Sequence, residues 1–593
     1  MPLTKLPFKP GFSSENSDYT EGPAWVRGDK VRFWKNFPQK IGGWQKYVTA
    51  TFLGKARAIL GWQTLGQSNT TALGTHLKLY VLQGGTYYDI TPIRDSGTLG
   101  SNPITTTNTS TSVTVNDTSH GCRAGDYVIF AGAAVINNVT LNGEFVVNSV
   151  TDANNFIVTA ATTANSSGAG GGSSVTFKYL LTSGLADSIF GLGWGASTWD
   201  ASTWGTARST SGIVIDARNW TLANWGEDLI SNPRGGSIYT WDASAGPSSN
   251  RATVISNAPA CQAIIVSSPD RHLIALGADD GSGTIDKMFV RWSDQEDNTT
   301  WAPAAANTAG NLLLTGGSQI QGAVQTRKEI IIVTDETCHS MRFIGPPFTF
   351  AIEPVGENCG AVGPHSIVDL NSVVYWMGKS SFFMFDGALK VLPCPVHDEV
   401  FDDMDALNKE KIFAGVNQKF HEIWWFYASN SSTECDSYVV YNYVDRTWVT
   451  GTLDRTVWAD SGDGIGSNPI AADTSGQLFS HEDGVNDVLA AITATLESGE
   501  FELGDGDRLV FIDKHIMDGS ITGSIGMTLK TRRYPFDSSG EISKGPFTIS
   551  SSTLKTSLRA RGRQFALAFS SSAVDDDFRL GTQRLNVKPS GRR

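Results

Sequence analysis

The sequence has little charge and no long apolar run. Charged residues make up 18% of the chain, against about 25% in a typical globular protein. No apolar stretch approaches the roughly 20 residues that a transmembrane helix needs, so we expect no membrane-spanning segment. The opening residues, MPLTKLPFKPGFSSE, lack the apolar h-region of a secretory signal, so we do not expect secretion by that route.

Cysteine is sparse and scattered. Six cysteines occur and none forms a C-x-x-C pair, so their spacing fits neither a zinc site nor a disulfide framework. We therefore predict reduced, mostly buried thiols in a protein made in a cytoplasm. These residues are Cys122, Cys261, Cys338, Cys359, Cys394 and Cys435.

Small residues and aromatic rings are abundant instead. The 593 residues include 62 glycines and 17 tryptophans, and aromatics reach 10%. This composition is typical of strands joined by many tight turns. The net charge of −13 disfavours tight nucleic-acid binding by the whole surface, since such affinity comes from neutralising phosphates.

A degenerate repeat crosses the second half of the chain. Apolar runs break at turns near Asp335, Gly378, Asn430 and Ser475, about 40–50 residues apart, which is the length of a four-stranded propeller blade. The alternative is an irregular series of hairpins in stacked sandwiches. We also predict one helix, over 396–415, because this stretch is acidic early and basic late.

The predicted fold is all-β, a β-propeller body with an inserted small β-barrel or sandwich domain and a C-terminal β-domain. The insertion, rich in Thr, Ser, Asn and Val, ends in the linker-like SSGAGGGSS. The predicted boundaries are 1–99 for an N-terminal β segment of the propeller body, 100–178 for the insertion, 179–485 for the rest of the body, and 486–593 for the C-terminal domain.

The end of the chain is basic although the whole is acidic. Residues 553–593 hold nine cations and three aspartates, a balance of +6. We predict a contact with an acidic surface of a partner protein or of a neighbouring subunit through this segment. The alternatives are solvated charge on a sheet face and a ring that faces DNA. The candidate contact residues are Arg559, Arg561, Arg563, Arg592 and Arg593.

Tryptophans cluster in WGASTWDASTWGTAR, where Trp194, Trp199 and Trp204 recur every five residues. Glycine and serine between them favour a surface loop. Its rings either pack onto the body, which we favour, or form a sugar-stacking groove.

Catalytic motifs are not found. The sequence has no Walker loop, no G-x-S-x-G and no H-E-x-x-H. His481–Glu482 is predicted to be a solvated turn, and the aspartates of 279–283 and 504–507 are fragments of calcium loops without the full ligand spacing. Ser293–Trp301 resembles a sialidase box but has the wrong spacing. We predict no catalytic, cofactor or metal residues and no enzyme activity.

Several long strings resemble a family of bacteriophage structural proteins, the tail nozzle or tail tubular protein B-like ("DNA stabilisation", tail hub) proteins of short-tailed phages. The resemblance covers nearly the whole chain except about 100–178. The strings include GDKVRFWKNFPQKIGGWQKY (28–47), VRWSDQEDNTTWAPAAANTAGNLLL (290–314), MRFIGPPFTFAIEPVGENCGAVGPHS (341–366) and RLGTQRLNVKPSGRR (579–593).

This resemblance implies a virion protein of the phage tail, assembled in the host cytoplasm. It implies a homohexamer around a channel, below the adaptor ring and portal, that retains packaged DNA and conducts it during DNA ejection. Its partners would be other copies, the adaptor ring, tail fibres or spikes, and DNA in passage; no cofactor is implied. The alternatives are a receptor- or glycan-binding module at the tail tip and, third, a polysaccharide depolymerase.

Overall fold

A computed structural model describes residues 3–190, 214–248, 250–462, 464–503, 508–535 and 540–591. The regular secondary structure of the described residues is almost entirely β-strand, and their contacts define two compact units. Unit 1 comprises 1–51, 315–344 and 350–593, and unit 2 comprises 52–314 and 345–349. Strands are numbered in chain order.

Unit 2 contains three antiparallel sheets of four consecutive strands each. Their first strands, β7, β21 and β25, are neighbours, which is how the innermost strands of propeller blades are arranged. The strands are β7 (Ala56–Gln63), β8 (Asn69–Thr75), β9 (Leu79–Gln83), β10 (Thr86–Asp89); β21 (Trp220–Trp225), β22 (Asp228–Pro233), β23 (Tyr239–Trp241), β24 (Thr253–Val254); β25 (Cys261–Ser267), β26 (His272–Ala278), β27 (Phe289–Trp292) and β28 (Gly310–Leu313).

Between β10 and β21, eight strands form a separate sheet with its own apolar core. Val113, Val128 and Phe156 lie in that core, fully buried. A short ribbon of two strands follows. The strands are β11 (Ile93–Thr98), β12 (Ile104–Thr106), β13 (Ser112–Asn116), β14 (Tyr127–Ala131), β15 (Gly143–Asp152), β16 (Asn155–Thr159), β17 (Gly168–Gly170), β18 (Thr176–Leu180), then β19 (Ile189–Phe190) and β20 (Val214–Ile215).

Unit 1 contains four more blade-like sheets, whose first strands again follow one another as neighbours. The last of them takes a strand, β6, from the N-terminal part of the chain. The strands are β29 (Ile320–Gln325), β30 (Ile330–Thr334), β31 (Thr337–Gly345), β32 (Thr349–Glu357); β33 (Ile367–Leu370), β34 (Val373–Met377), β35 (Phe382–Phe385), β36 (Leu389–Leu392); β37 (Phe413–Asn417), β38 (Glu422–Tyr427), β39 (Ser437–Asn442), β40 (Thr447–Thr452); β41 (Val457–Ala459), β42 (Ile470–Ala472), β43 (Leu478–His481), β6 (Trp44–Lys46), β44 (Asn486–Asp487) and β45 (Ala490–Ala491).

These blades are held by aromatic packing between neighbours. In β38 all six residues are buried, and the Trp425 indole donates a hydrogen bond to the Ser366 carbonyl oxygen at 3.0 Å. Trp458 of β41 lies on Gly415 of β37, where a Cβ atom would come within 2.4 Å of the indole. A larger residue at 415 would therefore force the neighbouring sheets apart.

The remaining strands form a two-sheet domain built from both parts of the chain near its ends, the terminal sandwich. Sheet A has the order β4-β5-β53-β48-β51, with β1 beside β53. Sheet B has the order β2-β3-β46-β52-β49-β50, with β47 beside β52. The strands are β1 (Thr4–Leu6), β2 (Lys9–Phe12), β3 (Ala24–Asp29), β4 (Val31–Trp34), β5 (Phe37–Lys40), β46 (Ala494–Ser498), β47 (Phe501–Glu502), β48 (Val510–Thr522), β49 (Ser524–Arg532), β50 (Ile542–Ser550), β51 (Thr556–Gly562), β52 (Gln564–Ser571) and β53 (Asp577–Pro589).

The all-β, propeller-type fold is thus confirmed, but the strand pairing corrects two predicted boundaries. Residues 4–40 pair with C-terminal strands and not with the blades, so only the later part of 1–99 is blade-like. Residues 486–491 extend the last blade-like sheet, and the C-terminal strands of the sandwich begin at 494. Strand partners distant in sequence decide both boundaries.

The predicted helix over 396–415 is largely wrong. Only α2 (His397–Asp403) is helical, followed by the 3₁₀ turn Lys409–Lys411, and residues from 413 onward form β37, which pairs with the fully buried β38. Burial in that sheet outweighs the helical charge pattern. The other short helices are α1 (Asp18–Glu21) and the 3₁₀ turn Gln418–Phe420.

Candidate functional site

The outer side of sheet A carries exposed cations. In β51, Leu558 and Ala560 are buried, whereas Arg559 and Arg561 are exposed. Successive side chains of a strand point to opposite faces. Both predicted arginines therefore project away from the core, on the same side of an edge strand.

The strand register brings further cations to this side. Phe511 of β48 is paired with Arg561 on one side and with Lys588 of β53 on the other, and directly paired residues share a face. Arg584 of β53 is paired in the same way with Lys5 of β1. We call this surface the cationic face, formed by Lys5, Lys514, Arg559, Arg561, Arg584 and Lys588.

One carboxylate lies among these six cations. Asp513 accepts hydrogen bonds from the Lys588 ammonium at 2.5 Å and from the Asn586 amide at 2.8 Å. The hydrogen bond from Lys588 is the main cause of the lowered pKa of Asp513. A second carboxylate, the exposed Asp518, lies further along β48. The face keeps a clear excess of positive charge.

The predicted contact residues divide into three groups. Arg559 and Arg561 are on the cationic face, where Arg561 also donates to the Ser590 carbonyl oxygen at 2.7 Å. Arg563 lies beyond the end of β51, with its guanidinium 5.0 Å from the Tyr534 ring centre. Arg592 and Arg593 lie outside the described residues.

Sequence reasoning missed Lys5 and Lys514, because they are distant in the chain from 553–593. The signal was the alternation Thr4-Lys5-Leu6, in which Leu6 is buried. Only the pairing of β1 with β53 shows that this lysine lies beside Arg584.

Chemically, the cationic face suits a large acidic partner. It is a sheet surface, and guanidinium groups pair well with carboxylates and phosphates. Each exposed ion pair contributes at most about 1 kcal/mol, so affinity would come from several pairs together and would be sensitive to salt.

A second group of charges lies buried in unit 1. Arg32 of β4 is 1% exposed. Its Nε lies 3.0 Å from a Glu422 oxygen, and its Nη1 donates to Glu482 at 3.1 Å. Burial raises the pKa of Glu422 to about 7, although Arg32 opposes this shift. This pairing ties the terminal sandwich to two blade-like sheets.

His481 completes this buried group. The Arg455 Nε donates to the His481 Nε2 at 2.8 Å, which requires a neutral imidazole. Burial, reinforced by the charges of Arg455 and Arg32, lowers the pKa of His481 well below its usual value. The predicted solvated turn at His481–Glu482 is therefore wrong, because both side chains fill a buried ionic site that the local sequence does not reveal.

Among the described residues, one exposed group of possible metal ligands stands out: Glu15, His397 and Asp398. The His397 ring nitrogens already contact Asp398 Oδ1 at 2.8 Å and the Ser380 carbonyl oxygen at 2.7 Å. These contacts are therefore hydrogen bonds at the N-terminal end of α2.

The aspartate motifs of the sequence serve turns. Asp279 accepts from the backbone amides of Gly281 and Gly283. Asp294 accepts from the Thr308 amide and hydroxyl, and Trp301 is 1% exposed. The segment 504–507 lies outside the described residues.

The tryptophan loop, Trp194, Trp199 and Trp204, also lies outside the described residues. Of the later tryptophans, Trp220 and Trp241 are each 1% exposed and donate to backbone carbonyl oxygens. These two rings pack in the core. Five of the six cysteines are buried as well, and Cys394 is half-buried, so the prediction of mostly buried thiols is confirmed.

Among the described residues, no helix is long and apolar enough to cross a membrane. The described part of unit 1 has an open groove of about 410 Å³ beside Tyr19, Glu500 and Glu502. Glu500 is ion-paired with Arg532 at 2.6 Å.

Comparison with known proteins gives distant structural likenesses only. No family model matches the chain, and no curated protein matches it. Phage phi92 endosialidase is 12% identical over 72% of this chain, with a TM-score of 0.18, and the chain spans only 64% of that protein's length.

Two other solved structures are similarly low in sequence identity and in TM-score. An extracellular domain assigned to a hybrid two-component system of B. thetaiotaomicron is 10% identical, with 89% of this chain and 84% of that chain covered and a TM-score of 0.33. The N-terminal domain of Nup159 is 10% identical over 46% of this chain and 79% of that chain, with a TM-score of 0.26. TM-scores this low carry no argument about either the fold or the function of this chain. The chain is, by its own strand pairing, an all-β protein of β-propeller type.

Proposed function

We propose that this chain is a structural virion protein of a short-tailed phage, a subunit of the tail nozzle. In this proposal six copies surround a channel below the adaptor and portal. They close it against packaged DNA and conduct the genome during ejection. The protein acts as a conduit and not as an enzyme.

The observation that carries the proposal is the cationic face of the terminal sandwich. Five exposed cations and the half-buried Lys514, on four adjacent strands, provide a sheet surface for an acidic protein. Nearly the whole chain resembles nozzle proteins, and this resemblance suggests that the assembly is a phage tail nozzle. The acidic partner would then be a neighbouring copy or the adaptor.

The charge of the chain supports the conduit. With a net charge of −13, the average surface repels phosphates, and a channel wall of that sign would let DNA slide without holding it. A channel lined mainly by lysine and arginine would contradict this part of the proposal.

Electron microscopy of the concentrated, purified protein tests the proposal, first alone and then with the adaptor ring of the same phage. We expect class averages with sixfold symmetry and a central hole. Monomers that stay monomeric in both samples would contradict the nozzle function, and so would trimeric rods, which are typical of spikes.

A glycan array on the same preparation addresses the competing functions. A nozzle subunit is expected to bind no glycan. Specific glycan binding by a protein that forms no rings would favour a receptor-binding module, and release of oligosaccharides from capsule would favour a depolymerase.

A further inference from the structure

A surface of opposite sign lies elsewhere in unit 1. Helix α2 carries Asp398 and Asp402, which are four residues apart and therefore share one helix face. Asp398 has 68% of its side chain exposed, and Asp402 is exposed too. Glu15, also exposed, accepts a hydrogen bond from the Asp398 backbone amide. With Asp403 and Asp405 these residues form what we call the acidic ridge.

The surroundings of the ridge reinforce its negative potential. Burial raises the pKa of Asp403, and the nearby Asp436 raises it further. Burial is the largest cause of the raised pKa of Tyr427, and the charges of Asp403, Glu399 and Asp436 raise it further. The basic group of the ridge is His397, whose pKa is raised by the Ser380 carbonyl oxygen and by Asp398.

The ridge and the arginines of β51 lie at opposite ends of the terminal sandwich. Sheet B runs from β2 at one edge to β50 at the other. Helix α2 is joined to the chain just after β2, through the Ser14 hydroxyl, which donates to Glu399 at 2.8 Å. Strand β51, with Arg559 and Arg561, packs against β49 and β50. Arg559 and Arg561 are therefore separated from the ridge of their own copy by the width of sheet B.

We propose that the cationic face of one copy binds the acidic ridge of the next copy, head to tail. Two different, complementary patches on one chain make a heterologous interface, and such an interface closes into a ring when its rotation allows. The number of copies in that ring rests on the proposed function; the pairing of the two patches does not.

Charge reversal on each patch tests the contact. Variant F carries Arg559→Glu and Arg584→Glu, and variant R carries Asp398→Lys and Asp402→Lys. The matched control carries Arg123→Glu and Lys178→Glu, two exposed cations of unit 2, so its net charge equals that of variant F. Self-association is measured by sedimentation velocity and ring formation by electron microscopy, with folding checked by circular dichroism.

The expected result is reciprocal rescue. F alone juxtaposes two acidic patches and R alone two basic patches, so each should self-associate at least about tenfold less than the native chain and the control. In an equal mixture, F and R subunits can alternate around a ring with an even number of subunits. Every cationic-face position then meets a ridge of opposite charge. A chain with all four substitutions should also assemble.

The outcomes separate this inference from the proposed function. Rings of six that survive in F and in R would overturn the head-to-tail contact and leave the nozzle function standing. Pairwise association that F and R abolish and their mixture restores, without sixfold rings even when the adaptor is present, would support the contact and overturn the nozzle. A folded mixture that fails to associate where the native chain does would overturn the contact.

Discussion

Arg32 and Arg559 are the same residue type in the same sheet, yet their surroundings differ completely. Arg32 on β4 is buried between Glu422 and Glu482, whereas Arg559 on the edge strand β51 is exposed. Buried charge must be paired in place, and removing one partner is costly. Exposed charge interacts weakly with its neighbours and stays available for partners. The comparison assigns stability to the first region and, in the proposed function, recognition to the second.

Arg32→Met should have the largest effect on stability. It leaves two buried carboxylates facing each other without a cation, at a cost of about 3–5 kcal/mol. Urea unfolding followed by tryptophan fluorescence measures the loss, with Arg559→Met as the matched control. A decrease in the free energy of unfolding of less than about 1 kcal/mol would show that Arg32 does not stabilise the two buried carboxylates. Replacing Arg32, Glu422 and Glu482 together by apolar residues should recover most of the loss.

The second effect is a pH dependence confined to the buried region. The folded pKa of His481 is below its unfolded value, so below about pH 6.5 the unfolded chain takes up a proton that the folded chain refuses. Stability from this group therefore falls by about 1.4 kcal/mol per pH unit as the pH drops further. Glu422 titrates in the opposite sense, since its raised pKa favours the folded state at low pH.

The comparison with His481→Gln isolates this contribution, because glutamine can still accept from Arg455. From pH 6.5 to pH 5, the stability of the native chain relative to the variant should fall by about 2 kcal/mol. If the free energies of unfolding of the two proteins change with pH in the same way, the pKa of His481 is not lowered in the folded state.

Salt should distinguish the two regions. Raising the ionic strength from about 0.1 M to about 1 M shortens the screening length from about 10 Å to about 3 Å. Self-association through the cationic face should weaken several-fold. The stability difference between the native chain and Arg32→Met should barely change. Sedimentation and urea unfolding at both salt concentrations measure the two quantities, and equal salt sensitivity of both would remove the distinction.

The smallest effect on stability is expected for Arg559→Ser, which should change the free energy of unfolding by no more than about 0.5 kcal/mol. The same change combined with Arg561→Ser and Arg563→Ser should nevertheless weaken assembly onto a partner. If phage that carry the triple variant assemble as many virions as native phage, the proposed contact through these arginines is wrong.

Local patterns predicted the blade-like sheets well. The turns near Asp335, Gly378, Asn430 and Ser475 all connect the second strand of a sheet to its third. Consecutive strands pair with one another there, so the sequence order carries the topology. The same reasoning placed residues 4–40 wrongly in the propeller body, since the partners of β1 to β5 include strands from beyond residue 490.

The all-β class, the repeat of about 40–50 residues and the basic end of the chain could all be predicted from the amino-acid sequence, because composition and period are local properties. Which charges are buried and which are exposed depends on strand pairing between distant parts of the chain. Glu482 was expected in a solvated turn and lies instead against Arg32, 450 residues away. Lys5 lies beside Arg584 for the same reason: strand pairing brings distant residues together, and their burial then fixes what each charge does.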